Sequence, residues 1–130
     1  MNDVIRTERG WCGHFICGDR CRFRRNTLLE CGDKKFVIST VGVCIIDNEV
    51  ETIGLDRWYE TMAFIGEDNG GYIDADVTKQ IDFESEWGIW GTSWEEVLAI
   101  YTNPDNAAND MHEKVVDELT KKIQSQEEMT

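Results

Sequence analysis

No apolar run in this chain approaches the ~18 residues that a membrane-spanning helix needs. Nor does the N-terminus carry a charged-then-apolar stretch of the signal-peptide kind. Both absences point to a cytoplasmic protein, in which Cys12, Cys17, Cys21, Cys31 and Cys44 stay reduced. These cysteines lack the C-x2-C pairing of a zinc knuckle, and their odd number weakens a disulfide framework. They read as buried or half-buried thiols. Glycine-rich phosphate loops of the GxGxxG or GxxxxGKS/T kind are missing as well. No serine or cysteine has a base and an orienting partner close by in sequence. Together these gaps disfavour an enzyme and imply neither metal nor cofactor.

Positive charge is scarce, and what there is lies in one region. The 130 residues carry 13 Lys/Arg against 26 Asp/Glu, for a net charge of −13 and a pI near 4.4. Direct binding to nucleic acid, which needs clustered positive charge, is therefore disfavoured. From Arg6 to Lys35, however, eight Lys/Arg face four Asp/Glu, whereas residues 36–130 hold five against twenty-one. The pattern is an acidic body with one basic face, centred on WCGHFICGDRCRFRRNTLLEC from Trp11 to Cys31. A hydrophobic fraction of 41% with five tryptophans is enough for one folded domain despite the charge.

Periodicity gives the order of elements. Residues 1–10 read as a flexible lead-in, 11–124 as a single domain and 125–130 as a frayed tail. Alternation predicts strands over Trp11–Cys17 and Cys21–Cys31, the second turning at Gly32-Asp33 into KFVISTVGVCII, which is apolar on both faces as a central strand is. Trp58–Ile65 and Tyr72–Phe83 alternate on either side of an Asp68-Asn69-Gly70-Gly71 turn. Ser93-Trp94-Glu95-Glu96 has the form of a capping box opening a short helix, stopped by Thr102-Asn103-Pro104. Asp105 or Asn106 then caps a longer helix, whose Ala108, Met111, His112, Val115, Val116, Leu119 and Ile123 make one apolar stripe. Strands first and helices last predict an α+β fold, an antiparallel sheet of five to six strands with two C-terminal helices packed on it.

The residues that could meet a ligand follow from this layout. Arg22, Arg24, Arg25 and Arg57 offer planar forks of donors that match phosphate oxygens. Phe15, Phe23, Trp58 and Tyr59 could stack on a ring, with Phe15 and Trp58 preferred. His14, Asn109, Asp110 and His112 are candidates for polar contacts to a ribose or base. The same arginines could instead pair with the surplus carboxylates, and His112, on an apolar helix edge, also reads as a satisfied core histidine. A metal site from His14, His112, Asp110 and Glu113 is conceivable, though no spacing requires it. Asp74 and Asp76, on one strand face, could act as paired carboxylates or lie solvated.

The stretches GWCGHFICGDRCRFRRNTLLE, ISTVG, RWYETMAF, GGYIDADV, FESEW and ANDMHEKVV resemble a family of small proteins carried by phages and prophages, over Gly10 to Ile123. In size and expected architecture the chain is similar to the anti-Thoeris sponges. That resemblance implies a dimer or larger homo-oligomer that sequesters cyclic ADP-ribose variants, and in some members cyclic oligonucleotides, without cleaving them. Arg22, Arg24, Arg25 and Arg57 would then hold phosphates in the cytoplasm of an infected host cell. The rival reading is an acidic inhibitor that occupies a nucleic-acid-binding surface of a host defence complex, as some anti-CRISPR proteins do.

Overall fold

In the computed structural model, which describes residues 3–9, 14 and 20–125, an antiparallel sheet is followed by two C-terminal helices. This is the α+β order expected from the sequence. The strands are β1 (Ile5–Glu8), β2 (Cys21–Cys31), β3 (Lys34–Ile46), β4 (Glu49–Glu51), β5 (Arg57–Asn69), β6 (Tyr72–Ile81) and β7 (Gly88–Trp90). The helices are α1 (Trp94–Ile100) and α2 (Pro104–Gln124). The sheet runs β1-β2-β3-β5-β6, with β4 against β3 and β7 against β5. Of the strand expected over 11–17 only His14 is described, at a bend, and the tail from 126 onward lies outside the described residues. The lead-in holds more than was expected, because Ile5–Glu8 pairs with Thr27–Glu30 at the sheet edge. At three residues each, β4 and β7 are too short for alternation to register.

The central strand organises both faces. Phe36–Cys44 of β3 is buried throughout, as its two-sided apolar pattern requires. On one face Leu29, Phe36, Ile38 and Ala63 pack against Val115, Val116, Leu119 and Ile123 of α2. On the other, Leu28 and Val37 meet Ile73, which comes from the far end of the β5–β6 hairpin. A register shift between Phe64 and Gly66 marks a bulge there, and bulges bend a strand. Gly66 permits the closure, since a Cβ there would lie 2.7 Å from the Ile73 side chain. The hairpin tip turns through Gly70 and Gly71, both at positive φ, between the paired Asn69 and Tyr72.

Near its end β3 breaks its own alternation. Val43 sits at φ 52°, a conformation that costs a β-branched residue about 1–3 kcal/mol. Its side chain joins Trp58, Tyr59 and Val97, whereas Val41, two residues earlier, packs with Cys21, Cys44 and Ile53. The strained Val43 is itself fully buried in the Trp58 cluster.

Helix α2 starts earlier than expected. Asn103 is the N-cap, accepting from the Asn106 N–H at 3.2 Å, and Pro104 is the first helical residue, where its missing donor is harmless. The proline opens this helix as well as closing the gap after α1. On the buried stripe, His112 is fully enclosed and bonded at both nitrogens, to Thr27 Oγ1 at 2.7 Å and Thr40 Oγ1 at 2.7 Å. Thr27 donates its own proton to the Glu8 carboxylate, so it accepts from His112 Nε2–H. Nδ1 therefore accepts from Thr40, whose oxygen takes the Thr61 hydroxyl at 2.6 Å.

Burial, reinforced by the Arg25 charge, lowers the His112 pKa from 6.5 to about 3. Between those values the unfolded chain binds a proton that the folded chain refuses, so stability falls as pH drops through the window. Urea denaturation between about pH 7 and pH 5 should show a loss approaching about 1.4 kcal/mol per pH unit, flattened in His112→Gln. An unchanged slope in that variant would remove His112 from the account.

Candidate functional site

The four arginines expected to hold phosphates do not converge. Arg25 donates to Asn109 at 2.9 Å, to Glu113 at 2.7 Å and to Glu8 at 2.5 Å, and Arg6 shares both carboxylates from β1. Hydrogen bonding by Arg6, aided by Arg25, holds the Glu113 carboxyl down at about 2. Burial works against the Glu8 charge, but bonds from Thr27 and Arg6 outweigh it and keep its pKa below the ordinary value. Arg22 lies opposite Val43, where the ladder is interrupted, and swings to Asp105 at 3.1 Å over the Trp94 ring. Asp105 also accepts from the Tyr59 hydroxyl at 2.5 Å. Only Arg24 is exposed with no partner among the described residues, and strand alternation turns it away from α2.

Several expected contacts are corrected by burial. Trp58 is 5% exposed, donates from Nε1 to the Gly91 carbonyl at 3.0 Å and packs on Trp94, so it is core and not a stacking platform. Tyr59 is buried and Phe23 meets it edge-on. His112 has no donor or acceptor left for a ligand. Asn109 is engaged by Arg25, and Asp110 stays exposed on α2. Phe15 lies outside the described residues. His14 and His112 cannot share a metal, since they bond Ser39 and Thr40, neighbours on β3 whose side chains leave opposite faces of the sheet. Among the described residues no three His, Cys, Asp or Glu side chains group to hold a metal, and no helix is long and apolar enough to cross a membrane.

A second constellation lies on the His14 face. His14 Nδ1 is 2.7 Å from Ser39 Oγ, its Nε2 is 3.1 Å from Glu60 Oε2, and Glu60 Oε1 takes Arg57 at 3.1 Å. Burial opposes the Glu60 charge, but the bond and charge of His14, with Arg57, keep its pKa lowered. Serine, histidine and glutamate have the composition of a catalytic trio, and Ser39 is 0% exposed. Through His14 the cluster joins Ser39 of β3 to Glu60 and Arg57 of β5.

Arg57 of that cluster lies beside a pair of surface tryptophans that sequence reasoning missed. Trp87 and Trp90 are 43% and 46% exposed and meet edge to face at 5.2 Å. The Arg57 guanidinium lies 6.0 Å and 5.7 Å from their ring centres, and Gly54 gives it room, since a Cβ there would come within 2.5 Å. Beside Trp87 a cleft of about 210 Å³ opens between the end of β6 and the start of β7, lined by Glu60, Met62, Gln80, Asp82, Phe83 and Trp87. Segment 82–87, which forms its rim, is fixed to α2, because the Glu118 carboxylate accepts from the backbone N–H groups of Glu84 and Ser85 at 2.7 Å and 2.9 Å. The only sequence signal was EWGIW itself, which cannot say which indole is buried.

Comparison with known proteins finds no family model, no curated relative and no solved structure that matches the chain.

The two tryptophan classes separate in stability. Trp58→Ala should cost about 3–5 kcal/mol in denaturant unfolding, as for a buried aromatic. Trp87→Ala, at the surface, should cost less than about 1 kcal/mol. Equal losses would contradict the assignment.

Proposed function

We propose that this chain is a phage-borne anti-defence protein that acts by occupying a basic surface of a partner protein, without cleaving what it binds. The fate of the arginines carries the reading. Arg6, Arg9, Arg22, Arg25 and Arg57 each already bond an acceptor of the same chain. A phosphate would have to displace carboxylates from Arg6, Arg22, Arg25 and Arg57, and the Asn26 and Ile73 oxygens from Arg9. An ammonium or guanidinium meets an acidic surface with little competition. A partner face that ordinarily takes nucleic acid has this chemistry, and an acidic body competes for it. The phage-borne class rests on the sequence resemblance alone. The wild-type chain is expected to bind an oligo-arginine peptide with an affinity that falls steeply with salt. Absence of binding at low salt would overturn the proposal.

A second reading keeps the homo-oligomeric sponge for a cyclic nucleotide. It is favoured by Arg24, which is exposed with no partner among the described residues, as is Arg20. A thermal-shift screen with cyclic ADP-ribose isomers and cyclic di- and trinucleotides, followed by chromatography of the released ligand, tests it. A shift with ligand recovered intact, weakened by about 1–3 kcal/mol in Arg24→Ala, supports the sponge. Ligand recovered in altered form would indicate an enzyme, and no shift removes this reading.

A further inference from the structure

Resting on the basic-partner reading, we propose that the cleft beside Trp87 seats one arginine or lysine side chain of that partner. Its chemistry is mixed in the way a cation on an alkyl stem requires. Met62, Phe83 and the Trp87 indole give apolar and aromatic walls, and Gln80 and Asp82 give polar acceptors. Asp82 is exposed, with no partner among the described residues, so its charge is not neutralised within the chain. Glu60 adds a second carboxylate, already bonded to His14 and Arg57. Glu84 and Glu86 follow on the same exposed segment, so an anion would enter against four carboxylates.

The chain carries its own example of the interaction. Arg57 lies against Trp87 and Trp90 while pairing with Glu60, which is the combination of indole face and carboxylate that the cleft presents again on the Asp82 side. Size argues for a single side chain. At about 210 Å³ the cleft falls below the about 300–1,000 Å³ usual for whole small-molecule ligands. It is also held in shape. Thr61 N–H donates to the Trp87 carbonyl at 2.7 Å, and Ser85 Oγ donates to Glu118 at 2.6 Å, so little ordering remains to be done on binding.

The test uses the whole chain and two probes, a short neutral peptide with one arginine and the same peptide with citrulline, which keeps the shape and loses the charge. Tryptophan indole N–H signals in proton–nitrogen spectra report the site. The arginine peptide should move the Trp87 signal and leave Trp58 in place, whereas the citrulline peptide should bind about tenfold more weakly. Asp82→Asn and Trp87→Ala, the latter followed through Trp90, should each lose about tenfold for the arginine peptide, and Asp117→Asn, at an exposed ion pair on α2, should not. Equal binding by wild type, Asp82→Asn and Trp87→Ala would overturn the cleft. If those variants also keep wild-type affinity for oligo-arginine, only the cleft falls. If wild type fails to bind oligo-arginine, the basic-partner reading falls with it.

Discussion

The buried imidazole of His112 is the joint on which the rest of the molecule depends. It is fully enclosed, and it ties α2 to β2 through Thr27 and to β3 through Thr40. The donor chain extends outward to Glu8 on β1 and inward to Thr61 on β5. Apolar packing alone would let a helix slide on a sheet at small cost, because it is not directional. Two hydrogen bonds to one ring fix the register, since a shift by one residue would leave buried nitrogens unsatisfied. Once α2 is in register, Asp105 reaches Tyr59 and Arg22, Glu113 reaches Arg6 and Arg25, and Glu118 reaches the 82–87 segment. The site on the sheet edge is thus set by a contact in the core.

The second consequence concerns charge. An acidic chain with few cations has two uses for them, display to a ligand or neutralisation of its own carboxylates. Here the arginines of β1 and β2 cross to α2 and hold it down, and Arg57 braces a carboxylate and two indoles. Exposed ion pairs add little each, but Arg6, Glu8, Arg25 and Glu113 form a connected network in which each charge has two partners. Exposed lysines such as Lys34, Lys79, Lys114 and Lys121 also face outward, but exposed carboxylates outnumber the cations, and this favours a cationic partner over an anionic one. Arg20 and Arg24 are the exceptions among the arginines, and they keep the nucleotide reading open.

Much of the fold was legible because its signals are local. The α2 stripe from Ala108 to Ile123, the two-sided apolar run of β3 and the glycines at the hairpin turns act within a few residues of themselves. The edge strand Ile5–Glu8 was not, since its exposed, polar pattern matches that of a loop. Pro104 was read only as a stop, although the same ring suits the first turn of the next helix. The candidate site was the least legible part. Arg6 and Glu113 are 107 residues apart, and no pattern in sequence links them. Trp58 and Trp90 both lie on strands, yet one is core and the other surface, because β5 is interior and β7 is a short flap at its edge.

The central claim is that the arginines are committed inside the chain, and their guanidinium Nη–H signals, with Nε–H for Arg9, report this most directly. In proton–nitrogen spectra near neutral pH, guanidinium protons held in salt bridges exchange slowly enough to be seen, and solvated ones are lost to water. The account predicts sharp, protected signals from Arg6, Arg9, Arg22, Arg25 and Arg57, with Arg20 and Arg24 broadened away. Rapid exchange at Arg22, Arg25 and Arg57 would mean that these cations are free for an anion, and would return the nucleotide sponge to first place.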